Sequence, residues 1–553
     1  MSMFRWLRDR STRTGRSGQK PSRGCRPQLE VLEDRCLLSG GVLDTTFGSG
    51  SGVLDSSLAA FTRAFAVATY PKEGTANDGK IVVGGLYEGQ GRSLKTQFAV
   101  VRYNLDGSLD KSFGGSGEIA GPTSYGGAQD VLVQPDGKVL AAGESNGDFA
   151  IVRYNADGSL DKTFGTRGVA LTNIASNSFD RIYAIALDKD NNIVAVGGTT
   201  PPNSSTREVA LVRYTHNGTL DTTFGKGGLA LDHIPTSPLE GGGTQHFSLA
   251  IDDTGRIIVE AASPTENPHG GYDAMVIRYT STGALAGYET FDGTALPSLT
   301  FTGGLAVQPG DDRIVVVGQA DNLGQPVQGL VRLNSDGTPD GSLVFTNIRD
   351  VGDVDVVRLQ PDGRIVVGEL GNVTSGTGNT FTVARYNSDL SADTTFGTGG
   401  VAGVPNFATF TLDFTDMAFE PDGRIVVTGW STSVNGHVLL ARFLSTVPQI
   451  TSCSASPNPA APGSSVTLTA SNIIDPTPSA SITQVAFYLD SNNDGILEPA
   501  TDTLLGYATQ TSPGVWTYTF PVTQASGSYT LFAQAVDSYG VIGDPLALTL
   551  QVL

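Results

Sequence analysis

The run Asp490-Ser491-Asn492-Asn493-Asp494-Gly495-Ile496-Leu497-Glu498 places side-chain oxygens at its first, third, fifth and ninth positions and glycine at the sixth. Such spacing lets carboxylate and amide oxygens converge on a hard cation while the glycine takes the sharp turn. Leu497 holds the eighth position, where a helix-flanked calcium loop has isoleucine, and Thr501 holds the twelfth, where such a loop has glutamate. Asp502 follows one residue later. The candidate metal ligands are therefore Asp490, Asn492, Asp494, Glu498 and Asp502, with calcium as the cofactor they would take and a loop between strands as their setting. A polar hairpin turn is the other reading of the same residues, and both stand at this point.

Other chemistry is sparse. No Gly-x-Ser-x-Gly, His-Glu-x-x-His or phosphate-loop pattern occurs, so no motif marks a nucleophile with its base. The five histidines (His216, His233, His246, His269, His437) are scattered, and Cys25, Cys36 and Cys453 neither pair in a framework nor combine with histidine at zinc spacing. Neighbouring acids such as Asp311 and Asp312, or Asp353 and Asp355, have the chemistry of general acid and base groups at a channel mouth. No surrounding motif singles them out, so no catalytic residue is assigned.

The elements that would hold these residues are short strands. Seventy glycines and 28 prolines among 553 residues, with 39% apolar and only 16% charged residues, describe many strands and tight turns over sizeable cores. The net charge of −20 is unevenly spread. Residues 1–35 hold nine of the 35 basic and four of the 55 acidic side chains, leaving −25 on the remainder. A body so acidic repels nucleic-acid phosphates, which excludes nucleic acid as a partner. No run reaches the ~18 apolar residues of a membrane-spanning segment.

Three motifs recur in fixed order. A turn such as Gln134-Pro135-Asp136-Gly137-Lys138 leads into an apolar run, with cognates beginning at Asp78, Asp190, Asp253, Asp311, Asp362 and Asp422. A strand then ends in Arg-Tyr-Asn or a variant, its arginine at 102, 153, 213, 278, 332, 385 and 442. Leu-Asp-x-Thr-Phe-Gly follows, as at Leu160–Gly165, near 43, 109, 220 and 392, and eroded near 285 and 339. Successive arginines lie 51, 60, 65, 54, 53 and 57 residues apart, the length of four short strands with their turns. Proline fixes φ, aspartate bonds the backbone and glycine takes positive φ in each turn. Strands such as Phe149-Ala150-Ile151-Val152 are apolar on both faces, as radially packed sheets require.

The motif order predicts closure. The third motif occurs at Leu43–Gly48 before any Pro-Asp-Gly unit, and the repeats end at Ala441-Arg442-Phe443 without it. Residues near Val42–Phe47 are thus expected to pair with the strand ending at Arg442, removing the open edge of a ring. Strand parity turns the repeated arginines between sheets, where each needs an acid. The expected pairs are Arg102–Asp110, Arg153–Asp161, Arg213–Asp221, Arg385–Asp393 and Arg442–Asp44. Ala286 replaces the acid in the fourth repeat, so Arg278 must find another acceptor or reach water.

These blocks, over roughly residues 42–445, resemble the delta-60 repeat family of bacterial β-propellers, with Leu285-Ala286-Gly287 and Glu260 departing from it in the fourth repeat. The resemblance implies an extracytoplasmic propeller and no particular chemistry. Leu29-Glu30-Val31-Leu32-Glu33-Asp34-Arg35-Cys36-Leu37-Leu38-Ser39 resembles the Leu-Glu-Pro-Arg-x-Leu-Leu leader of large bacterial surface proteins, with Asp34 where that leader has proline. It implies export. Beyond Pro448 the three motifs stop and alternating runs take over, among them Ser465–Thr469, Gln484–Tyr488, Trp516–Phe520 and Tyr529–Ala533. About seven such strands in ~100 residues argue for a sandwich. The segment from Ser456-Pro457-Asn458-Pro459 to Leu468 is similar to the opening of bacterial immunoglobulin-like surface domains.

The expected chain is all-β: a basic leader over 1–40, a seven-bladed β-propeller closed by an N-terminal strand over 41–446, and an immunoglobulin-like β-sandwich over 447–553. The expected role is a non-catalytic extracellular or cell-surface binding or scaffold protein whose partner is an extracellular protein or polysaccharide. The alternative is a carbohydrate-active hydrolase or lyase using carboxylates at the channel mouth.

Overall fold

The computed structural model describes residues 40–553 apart from 59–60, 89–95, 123–125, 202–203, 205–206, 237–246, 267–271, 293–298, 323–324, 350–354, 362, 372–379, 405–411, 432–436, 446–447, 476–480, 492–494, 496, 498–501, 539–542 and 544. Among these the chain is all-β, with one 3-10 turn at Gly48–Gly50 and no α-helix.

Up to Phe443 the strands follow one plan: four antiparallel neighbours in chain order, the first innermost and the fourth outermost. Arg63–Thr69, Ile81–Glu88, Thr96–Tyr103 and Glu118–Ala120 form one such sheet. Ala128–Val133 through Val169–Thr172 form the next, and Asp355–Leu359 through Val401–Gly403 a later one. A five-stranded sheet begins at Phe179–Leu187 and adds the short Pro235–Thr236 at its rim. An eight-stranded sheet contains two four-strand units, starting at Ser248–Ile251 and Thr300–Val307, joined only through Asp273 and Thr300.

The remaining sheet closes the ring. Leu412–Phe419, Ile425–Ser431 and His437–Phe443 supply three strands, and the N-terminal Val53–Ser57 supplies the fourth, in register Val53 to Ala441 and Ser57 to His437. The expected pairing near Val42–Phe47 is also present: Leu43 bridges Phe443, and the Asp44 amide donates to the Arg442 carbonyl at 2.8 Å. The strand of the sheet itself lies a few residues later than that stretch, because Gly48–Gly50 turns the chain first.

A separate core fills each gap between consecutive units. Val82, Val100, Val131 and Ala141 pack across the first gap, and Val194, Leu211, Val259 and Ile277 across a later one. The closing core mixes Phe47, Phe61 and Val67 with Val426, Val438 and Leu440, joining the two ends of the repeat region. This is why the strands are apolar on both faces: each sheet is a wall shared by two cores.

Residues Gln449–Val552 form two four-stranded sheets around one core of Val466, Leu468, Val485, Phe487, Trp516, Leu531 and Leu550.

Candidate functional site

The repeated arginines meet the acids that their spacing predicts. Arg102–Asp110, Arg153–Asp161, Arg213–Asp221, Arg385–Asp393 and Arg442–Asp44 bond through Nε at 2.7, 2.9, 2.8, 2.8 and 2.9 Å. The phenylalanine of the same third motif lies under each guanidinium, with Arg153 4.4 Å from the Phe164 centroid and Arg442 4.7 Å from that of Phe47. The second aspartate oxygen turns back on the motif, as when Asp161 accepts from the Thr163 amide and hydroxyl. Burial works against ionisation of Asp161, but the Thr163 hydrogen bonds and Arg153 outweigh it and hold the carboxyl at about 2.

Each guanidinium also reaches the following unit. Arg102 donates to the Ala156 carbonyl, Arg153 to His216, Arg213 to Ser281, Arg332 to Ser388 and Arg385 to Ser445. Arg442 donates to Leu105 of the first unit, so the chain of contacts returns to its start. A third group joins from the Pro-Asp-Gly turn: Lys80 on Asp110 at 2.8 Å, Arg364 on Asp393 at 3.2 Å and Arg424 on Asp44 at 3.0 Å. Sequence reasoning missed this group, although a lysine or arginine one residue past the turn glycine recurs in most repeats. Arg278, without its acid, lies 3.7 Å from Glu289 and packs on the next unit beside Asp336, where a side chain at Gly337 would come within 2.5 Å of its Nε. Arg256 donates to the Ser335 carbonyl at 3.4 Å in its place.

These charges belong to the fold, which leaves the axial channel as the candidate site. A cavity of about 530 Å³ is lined by the innermost strand of every unit. Such strands pair on one side only, so their free edges face the channel. Two acids stand there, Asp130 and Asp416. Asp130 accepts from the Ile185 amide of the next unit at 2.7 Å and the Val131 amide at 2.8 Å. Asp416 accepts from the Val67 amide at 2.9 Å and from Arg358 at 2.8 Å. Ser248 caps Leu305 in the same way at 3.1 Å. Burial, with the Asp416 carboxylate adding to it, pushes Asp130 up to about 7. Burial also raises Asp416, with Arg358 acting against it. Sequence reading passed over both acids; their one signal is a lone charge in an apolar strand, as in Ala128-Gln129-Asp130-Val131-Leu132.

The acid pairs singled out from sequence are placed elsewhere or lie outside description. Asp311 bonds its own turn through the Arg313 amide, and Asp312 meets Arg256 at 3.2 Å. Asp353 and the side chain of Asp355 lie outside the described residues. Of the calcium candidates, Asn492, Asp494 and Glu498 also lie outside them. Asp490 and Asp502 are buried and turned onto the same loop, Asp490 accepting from the Gly495 amide at 3.0 Å and Asp502 from the Ser491 amide at 2.9 Å.

Solved structures with similarity to the chain include the β-propeller domain of the Trilobed protease from Pyrococcus furiosus, at 9% identity over 70% of this chain and 97% of that one, TM-score 0.36. The Nup133 β-propeller domain of Vanderwaltozyma polyspora matches at 9% identity over 71% of this chain and 100% of that one, TM-score 0.35. An endo-arabinase from Bacteroides thetaiotaomicron matches at 12% identity over 46% and 91%, TM-score 0.28. No curated protein matches the chain. Residues 76–113, 134–164, 189–224, 310–343, 360–396 and 420–445 match the family described as "Domain of unknown function (DUF5122) beta-propeller". The unit with Glu260 and Ala286 falls between the matched stretches. Six stretches of the ring-forming part of the chain are thus similar to repeats of that β-propeller family.

Proposed function

We propose that the chain is a non-catalytic binding or scaffold protein of the cell exterior, a seven-bladed propeller borne on an immunoglobulin-like sandwich. The count takes the eight-stranded sheet as two blades, since one bridge joins its halves. The delta-60 pattern and the leader-like segment at Leu29–Ser39 motivate the extracellular or surface location. The observation carrying the reading is the use of Asp130 and Asp416: both oxygens of each accept from a strand-edge amide or Arg358. A general acid or base needs a carboxyl oxygen aimed at substrate, whereas these hold neighbouring blades together. A calcium ion in the Asp490–Asp502 loop would stabilise the sandwich, and its chemistry is structural.

The alternative, a glycan hydrolase or lyase, draws on Asp130, whose carboxyl titrates near neutrality inside a cavity. A screen of the full chain against neutral and acidic polysaccharides, with product analysis, separates the two. Retention of ligand without new reducing ends or unsaturated products is expected. Turnover that Asp130→Asn abolishes would overturn the non-catalytic reading.

A further inference from the structure

Five of the innermost strands carry a β-bulge at one level of the channel. The ladder register skips Phe65 between Ala64 and Ala66, Gln129 between Ala128 and Asp130, and Tyr183 between Ile182 and Ala184. It skips Thr415 between Phe414 and Asp416, and two residues between Phe301 and Gly304. A bulge takes a residue out of the ladder and re-aims its side chain, a device that recurs beside binding sites. Phe247 holds the same level, because Ser248 pairs with Glu260 as Ala66 does with Gly84. Phe65, Gln129, Tyr183 and Phe247 therefore form an arc across four consecutive blades, all lining the cavity.

The arc is rigid where it is aromatic and open where it is polar. Tyr183 and Phe247 stack with centroids 5.3 Å apart, and Arg207 fixes the Tyr183 hydroxyl at 2.7 Å. Phe65 lies against the Gly127 backbone, where any side chain would approach its ring to 2.7 Å. Gln129 is half-buried and makes no side-chain hydrogen bond with the described residues. The arc stands at the end where inner strands begin, opposite the Pro-Asp-Gly turns.

We infer that the channel mouth edged by Phe65, Gln129 and Tyr183, with the buried Phe247 backing Tyr183, binds the end of a neutral saccharide chain. Aromatic faces take the apolar C–H face of a sugar ring, and Gln129 both donates and accepts. The inner strand edges, where no carboxylate or serine caps them, present N–H and C=O groups in alternation, which hydroxyls satisfy in both senses and a purely apolar ligand would leave unpaired. An anionic ligand would meet Asp130 and Asp416, with Arg358 as the cation among the described cavity-lining residues. The volume suits one or two sugar rings within the ~300–1,000 Å³ of ordinary ligand sites. The inference rests on the binding reading above and supplies its ligand class.

Titration calorimetry of the full chain with cello-, xylo- and arabino-oligosaccharides tests it. At least one series is expected to bind, with Gln129→Ala and Phe65→Ala each weakening it by about tenfold. Arg313→Ala, on the turn face, should bind as the parent does. Gln129 is not packed in a core, so its variant keeps the fold, checked by an unchanged melting curve. Binding indifferent to both mouth variants, or no binding by any series, overturns the saccharide site and leaves the non-catalytic reading in place. Cleavage of a bound oligosaccharide, lost in Gln129→Ala, supports the site and overturns the non-catalytic reading.

Discussion

Asp393 sits between Arg385 at 2.8 Å and Arg364 at 3.2 Å, and its side chain is only 5% exposed. Two cations and the Thr395 hydrogen bonds favour its charged form against the cost of burial, so its carboxyl titrates below the ordinary range. Asp393→Asn should lower unfolding stability by about 3–5 kcal/mol, the usual cost of leaving a buried charge without its partner. Arg278→Met should change it by no more than about 1 kcal/mol, since its ion pair with the partly exposed Glu289 is long. Urea titration of both variants checks the contrast; a loss for Asp393→Asn no larger than about 1 kcal/mol would mean that the acid of the third motif contributes little. The acids also divide by sign in their pH dependence. Asp44, Asp110, Asp161, Asp221 and Asp393 are lowered, so the stability they contribute is present above about 4 and is lost as pH falls through their folded values. Asp130 is raised to about 7, so its ionisation opposes folding and stability falls as pH rises from about 4 to 7. Melting curves of Asp130→Asn and the parent across that window should converge at its acid end, with the variant flatter toward neutrality. Parallel curves would mean that Asp130 titrates normally.

At the scale of elements, the closing sheet differs from the others in that its outer strand comes from the start of the repeat region. Val53–Ser57 covers the edge of His437–Phe443, and Asp44 brings the acid that both Arg442 and Arg424 require. The closing sheet is thus tied by ladder hydrogen bonds, a shared core and a buried ion cluster that also takes in Glu420 at 2.9 Å from Arg442. Deleting residues 40–57 should leave a bare strand edge and two buried arginines without Asp44. The expected result is a marked fall in melting temperature together with oligomers on size-exclusion chromatography, since free edges pair with other chains. A monomer melting as the parent does would show that closure adds no stability. The motif order made this closure legible in advance. The bulges of the inner strands were not legible, because a skipped residue depends on the register of the partner strand, and Phe65, Gln129 and Thr415 share no side-chain type.

For the whole molecule, the ring and the C-terminal sandwich have separate cores and should respond separately to ions. Calcium is expected to raise the melting of the sandwich alone, and Asp502→Asn to abolish that rise. A transition unmoved by calcium and by chelator would leave the Asp490–Asp502 loop as a polar hairpin. The sequence by itself determined the all-β class, the repeat period, the ring closure and the arginine–aspartate pairs, because each follows from local turn chemistry and strand parity repeated at a fixed interval. It also showed where the pattern fails, at Ala286, and the structure there has Arg278 without a close acid. Only the tertiary structure decided which groups share the channel. Asp130, Arg358 and Asp416 lie in three different blades, up to 286 residues apart in the chain, and no periodic signal links them. Their meeting depends on the radial packing of whole sheets, which sets the inner strand edges facing one another across the axis. That packing turns two isolated acids into caps for amides of neighbouring blades and leaves an aromatic arc facing the cavity.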